Sequence, residues 1–140
     1  MVKILRGRCV VPGKCEGEIV ATSQPISFWG GVDPITGYVN DPRHELFNQS
    51  ISGKVLVFPF GKGSSTTSLI ILELARVDKA PAAIINLRTE PILATGPIVC
   101  KHLYGKEIPI VTLDEGTFQL LKTARHVVVD ATAGEVIITD

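Results

Sequence analysis

The residues best placed to do chemistry are Gly61-Lys62-Gly63-Ser64-Ser65, between an apolar run and an apolar helix. Val55–Phe58 reads as a buried strand, Pro59 to Gly63 as a turn, and the hydroxyl cluster Ser64–Ser68 as the start of a helix. Glycines in such a turn let the backbone come close to a ligand. Ser64 or Ser65 stands where an N-cap belongs, among the unpaired N–H groups of a first helical turn. Such a position suits an anion: a ligand's phosphate or carboxylate, or an oxyanion made on the serine itself. Spacing excludes three familiar glycine motifs. Gly61-Lys62 is followed by Gly63 rather than Ser or Thr, and Leu56 fills the upstream glycine position of a P-loop. Thr66 stands where a dinucleotide fingerprint needs its third glycine, and no Gly-x-Ser-x-Gly elbow is present. On spacing alone the turn is either a capped connection or an anion site.

A second concentration of chemistry-bearing residues lies in Ser27–His44 (SFWGGVDPITGYVNDPRH), which carries turn signals throughout. A long irregular segment inside a compact domain is uncommon and usually functional. Phe28 and Trp29 either plug the core from this loop or anchor a partner protein. Asp33, Asp41 and His44 are either ligands and acid–base groups or, for the two aspartates, turn and cap residues. Cys9, Cys15 and Cys100 form no C-x-x-C pair and read as small core residues rather than a metal set. Arg88, after a strand, either reaches an anion or is solvated surface.

The elements that must hold these residues follow from pattern. Val2–Val11 reads as one half-buried strand with Leu5, Cys9 and Val11 on one side, returning through Pro12-Gly13 into Gly17–Thr22 as a hairpin-like pair. The helix from about Ser65 to Val77 is apolar nearly all round, which predicts extensive burial. Ala82–Leu87 is a short strand, Pro91–Leu103 holds a second helix, and Ile108–Leu113 is another strand. Asp114 caps a third helix, and His126–Asp130 with Glu135–Thr139 forms a closing hairpin. Strands alternating with short helices between β-rich ends give an α/β domain with a mixed sheet. At 140 residues, one domain spanning 1–140 is expected. Lys plus Arg and Asp plus Glu each number 14, which argues against nucleic acid and acidic membranes as partners. Met1–Arg8 is too charged for a leader, and no apolar run spans a bilayer, so a cytoplasmic protein is expected.

Taken together, SFWGGVDPITGYVNDPRH, GKGSSTTS and APAAIINLRTEPILATGPIV resemble the small subunits of the aconitase X family, in its archaeal branch. The resemblance runs from about residue 3 to the C-terminus. It implies a swivelling β/β/α domain like the mobile fourth domain of aconitase, with a barrel-like or mixed sheet and short helices. It implies a separate large subunit that carries a four-iron, four-sulfur cluster, so that this chain binds no cofactor, with the active site between the subunits. The implied reaction is dehydration of (R)-5-phosphomevalonate to trans-anhydromevalonate 5-phosphate in a modified mevalonate pathway. The serine that follows the Gly of G-x-G-S, here Ser64, is the implied base. Read from the residues themselves, Gly63, Ser65 and Lys62 are candidate anion-binding neighbours, with Lys62 either supporting the alkoxide, holding the substrate's phosphate or pointing to water. The turn residues and aromatics mark the loop of Trp29, Asp33, Asp41 and His44 as a candidate partner-facing surface. Two positions depart from the family pattern: Thr67 precedes Ser68 where Gly is usual, and Glu45 follows His44 where Pro is usual. Dehydration of another hydroxy acid such as cis-3-hydroxyproline, or a non-catalytic anion-binding role, are the alternative readings.

Overall fold

The computed structural model describes residues 2–62 and 66–139. Eight strands form one sheet: β1 (Lys3–Arg6), β2 (Arg8–Val11), β3 (Lys14–Ala21), β4 (Val55–Val57), β5 (Ala83–Asn86), β6 (Ile110–Thr112), β7 (His126–Asp130) and β8 (Glu135–Ile138). Their spatial order is β1-β8-β7-β3-β4-β5-β6-β2. The two end strands are separated in sequence by Gly7 alone, so the sheet curls until its edges nearly meet. Closure of this kind removes most of the unpaired edge that an open sheet would present. β3, β4, β5 and β6 run parallel to one another, and the remaining pairings are antiparallel.

Gly7 is the seam of this closure. Its N–H donates to the Gly134 carbonyl at 2.7 Å, in the β7–β8 turn. A β-carbon there would lie 2.2 Å from the Thr112 carbonyl oxygen of β6, so only glycine lets the strands pass this closely. The seam also corrects the hairpin expected between Val2–Val11 and Gly17–Thr22. β1 pairs with β8 and β2 with β6, while β3 pairs with β7 and β4. Splitting the strand at Gly7 lets each half satisfy a different edge. Cys9 is exposed as a result, against the expectation that it faces the core, whereas Leu5 and Val11 are buried.

Alternation along the parallel strands divides the interior into two apolar clusters. Val55, Val57, Ala83 and Ile85 point into the curled sheet, where they meet Leu5, Val127, Val129, Val136 and Phe118. Leu56, Phe58, Ile84 and Ile110 point outward beneath α2 (Thr67–Arg76) and α3 (Pro91–Tyr104). α2 buries Thr67, Ile70, Ile71, Leu74 and Ala75, a single helical face, and leaves Leu69 61% exposed. The helix is largely buried, as its apolar character predicts: Ser68, Leu72 and Glu73 are half-buried, and Leu69 and Arg76 are exposed. Gly96 of α3 allows the close approach, since a β-carbon there would sit 3.1 Å from Ile71. Pro91 opens α3 and Gly105, at φ 64°, ends it. Asp114 caps α4 (Glu115–Gln119) by accepting the Thr117 N–H at 2.8 Å.

Residues 22–54 hold no regular strand, yet this long connection is not superficial. Phe28, Val32, Val39, Leu46 and Ile51 are all buried in the outer cluster, at irregular intervals that no periodicity would reveal. Phe28 lies in α1 (Phe28–Gly31), one distorted turn, and packs edge-on against Phe58 with ring centroids 5.9 Å apart. Trp29, its neighbour, is 62% exposed. Of the two aromatics, only Phe28 plugs the core.

Candidate functional site

The turn after β4 is fixed on its upstream side by the long connection. Ile26 and Gly61 form a parallel bridge, with the Lys62 N–H donating to the Ile26 carbonyl at 2.9 Å. On the downstream side α2 begins with Thr66 as its N-cap. The cap expected at Ser64 or Ser65 falls on residues outside the described ones; Thr66, next to them, has helical backbone angles of φ −84° and ψ −8°. Ser64 stands two residues before the cap in sequence. Gly63, Ser64 and Ser65 themselves lie outside the described residues.

Lys62 stands on a ridge between two clefts. One, of about 280 Å³, is lined by Gln24, Pro25, Asp41, Arg43, His44 and Lys62. The other, of about 250 Å³, is lined by Gly61, Lys62, Thr67, Glu90, Pro91, Ile92 and Leu93. The structure therefore brings Asp41 and His44 beside Lys62, and leaves Asp33 and Trp29 out of both clefts. Arg43 and Gln24 complete the first cleft and were not singled out by sequence. Arg43 sits in plain view in Asp41-Pro42-Arg43-His44, but nothing local distinguishes it from a solvated charge.

The aspartates do turn work. The Asp33 Oδ1 accepts the Ile35 N–H at 2.8 Å, and the Asp41 Oδ1 accepts the Arg43 N–H at 3.0 Å. That backbone donor, helped by the nearby Arg43 guanidinium, holds the Asp41 carboxyl below its ordinary range. His44 is spent on structure as well. Its Nδ1 accepts the Leu46 N–H at 3.1 Å, which makes Nε2 the protonated nitrogen, and Nε2 donates to the Pro25 carbonyl at 3.2 Å. With both ring nitrogens engaged, His44 braces the cleft wall.

Glu45, the departure from the family's Pro, supplies a latch. Its carboxylate accepts from the hydroxyl of buried Thr22 and from the Ser23 N–H at 3.1 Å. Its own N–H donates to the Gln24 side-chain oxygen at 2.9 Å, and the Gln24 N–H donates to Thr22 Oγ1 at 3.0 Å. The Thr22 hydroxyl and the Ser23 amide hold the Glu45 carboxyl below its ordinary value of 4.5. A depressed native pKa means that the unfolded chain takes up the proton first. The stabilisation is thus present above about pH 4.5 and is lost as pH falls through the native pKa. Thermal unfolding followed from pH 7 to about pH 3 should fall more steeply for the wild type than for Glu45→Gln, which lacks this titration. Equal slopes would show that the latch adds nothing. Arg88 has neighbours of its own: its guanidinium stacks 4.0 Å from the Phe60 ring centroid and lies 3.9 Å from Glu90.

The cysteines do not make a cluster-binding set. Cys9 is exposed, Cys100 is buried, and burial next to Glu16 pushes the Cys15 thiol up to about 11, far from a ready thiolate. Among the described residues, no three of His, Cys, Asp and Glu gather closely enough to hold a metal ion. Nor is any helix of the described residues long and apolar enough to cross a membrane.

Comparison with known proteins adds independent information. The family model described as the Aconitase X swivel domain matches residues 4–138. A Thermococcus kodakarensis protein named phosphomevalonate dehydratase small subunit is 47% identical over 136 residues, covering 97% of this chain and 96% of that one. A Methanosarcina mazei protein of the same name is 45% identical, covering 92% and 86%. The crystal structure of Thermococcus kodakaraensis aconitase X in its holo-form superimposes with a TM-score of 0.87 at 46% identity, covering 99% of each chain. The nearly closed barrel-like sheet with its short helices, the long connection folded against it and the family match over almost every residue agree: this chain belongs to the aconitase X swivel-domain family.

Proposed function

We propose that this chain is the small subunit of a phosphomevalonate dehydratase. It dehydrates (R)-5-phosphomevalonate to trans-anhydromevalonate 5-phosphate together with a large subunit, as a cytoplasmic hydro-lyase. The observation that carries this reading is the 47% identity, across 97% of the chain, to a protein bearing that name. Residues 1–140 act as one swivel domain. The four-iron, four-sulfur cluster belongs to the large subunit; among the described residues of this chain no three of His, Cys, Asp and Glu gather closely enough to hold a metal ion. This chain contributes the base and contacts to the substrate's anionic groups.

Ser64 is the base of this reading. A serine hydroxyl hardly ionises at neutral pH, so its surroundings must stabilise the alkoxide. A helix N-terminus supplies up to roughly 2 kcal/mol when partly buried, about one and a half pKa units. Aimed backbone N–H groups, each worth about 2.7–4 kcal/mol where they have been removed from oxyanion holes, must do more. A cation must complete the task, either Lys62 or a charge from the large subunit. The decisive experiment supplies the reconstituted two-subunit enzyme with 5-phosphomevalonate and, separately, with cis-3-hydroxyproline. Turnover of the first alone is expected, and turnover of the second alone would overturn the reading.

The large subunit docks around the ridge, with Trp29 as an anchor. Its ring is 62% exposed although its neighbour Phe28 is fully buried, and Leu69 and Ile92 expose further apolar surface. Interface hot spots of this type exceed about 2 kcal/mol, or roughly 30-fold in affinity. Trp29→Ala should therefore weaken subunit association by about that factor, read by calorimetry, with no change in melting temperature of the free chain. Undiminished affinity would remove Trp29 from the interface.

A further inference from the structure

We infer that the cleft between Lys62 and the Asp41–His44 turn seats the phosphate of the substrate, with Arg43 and Lys62 as its charge partners. This rests on the functional reading above and says which side of the ridge the phosphorylated end takes. Two clefts compete, and their chemistry differs. Beside Gly61 the walls are Pro91, Ile92 and Leu93 with Thr67 and the Glu90 carboxylate, which repels a dianion, so that Lys62, shared by both clefts, is the one cation there. Beside Pro25 the walls carry Gln24, Arg43, His44 and Lys62, against the one carboxylate of Asp41.

Hydrogen bonding already in place decides which of these groups remain available. Asp41 is occupied by the Arg43 N–H and, weakly, by Arg43 Nε at 3.5 Å. His44 has both nitrogens engaged. The terminal guanidinium nitrogens of Arg43 and the ammonium of Lys62 have no carboxylate partner among the described residues, and the Arg43 side chain is 92% exposed. Gln24 uses its oxygen on Glu45, so its amide nitrogen is left to donate. What faces the cleft is a set of uncommitted donors, two of them cationic, which matches a phosphomonoester.

Size and placement agree. The cleft, at about 280 Å³, falls just under the roughly 300–1,000 Å³ of pockets that hold an entire ligand. It suits one end of a substrate whose other end lies on the large subunit. Lys62 directly precedes Gly63 and Ser64 in the chain, so a phosphate held here keeps the short carbon chain of the substrate near the base. The Glu45–Thr22 latch and the His44–Pro25 bond then act as positioning contacts, because they set where the Arg43 wall stands.

The test uses Arg43→Gln and Lys62→Met in the reconstituted complex with 5-phosphomevalonate, and Glu90→Gln as the control in the rejected cleft. KM should rise by about 10- to 100-fold for each cationic variant, the effect of losing a hydrogen bond to a charged group, with the smaller change in kcat. Glu90→Gln should leave both constants unchanged. A fall in kcat at unchanged KM for Lys62→Met would assign Lys62 to the base instead and overturn the proposal. So would an unchanged KM in both variants, or a KM change confined to Glu90→Gln, while wild-type turnover leaves the functional reading standing. A wild-type complex inert toward 5-phosphomevalonate would sink that reading alone. The cleft is then judged by titrating the isotope-labelled small subunit, in its complex, with methyl phosphate. Shifts of the Gln24 amide and Arg43 Nε resonances that vanish in the two variants uphold it, and their absence in the wild type refutes it.

Discussion

Ser64→Ala in the reconstituted enzyme is expected to lower turnover by about 10²- to 10⁴-fold, the range for loss of a positioned general base. Subunit affinity and the melting temperature of the small subunit should not move. The expectation follows from what a β-hydroxy acid requires: a proton must leave the carbon beside its carboxylate, and a methyl side chain cannot accept it. Ser65→Ala is the informative companion, since a hydroxyl one residue on can donate to an anion without serving as base. A modest KM effect for Ser65→Ala with full collapse for Ser64→Ala supports the assignment. Collapse only in Ser65→Ala would move the base by one residue. Survival of turnover in both would leave the turn as an anion grip and no more.

The second large effect is thermodynamic. Phe28→Ala should destabilise the chain by about 3–5 kcal/mol, measured by denaturant unfolding, the usual range for removing a fully buried Phe. Phe28 has no exposed surface and lies edge-on to Phe58, which continues directly from β4 toward the Lys62 ridge. Val32, Val39 and Ile51 belong to the same buried cluster and lie in an irregular segment with few backbone ladders to resist movement. The damage should therefore spread to the Arg43 wall and raise KM in the assembled enzyme. Phe28→Leu, which refills most of the volume, should recover more than half of the lost stability. A loss below about 1 kcal/mol for the alanine variant would show that the long connection is not anchored here.

Much of the architecture was legible because local patterns coincide with local structure. The apolar runs at Val55–Val57 and Ala83–Asn86, the Asp114 cap and the β7–β8 hairpin each carry their own signal. What stayed hidden depends on contacts distant in sequence. Nothing around Gly7 says that the strand on either side joins different edges, because the reason is the Thr112 carbonyl of β6. Cys9 looks like a core residue by alternation until that split exposes it. Phe28, Val32, Val39, Leu46 and Ile51 follow no period, so a segment rich in turn residues masks five core positions. The site divides in the same way. Lys62 was readable from its glycine-rich surroundings, whereas Arg43, Gln24 and the Thr22–Glu45 latch join it only through the folding of residues 22–54. Asp33, Asp41 and His44 were ambiguous by type, and their turn and bracing hydrogen bonds appear only once the segment is folded.

The pairing of β1 with β8 has a consequence for how the protein is made. β1 and β2 are synthesised before the strands they pair with, so β1 waits for the strand at Glu135–Ile138 and β2 for that at Ile110–Thr112. Contacts this remote in sequence form slowly, and until they do the nascent chain carries two unmatched edges and an open apolar interior. Stalled or truncated products that lack β8 are therefore the forms that chaperones and proteases meet, and the sheet seals itself with the latest of its eight strands.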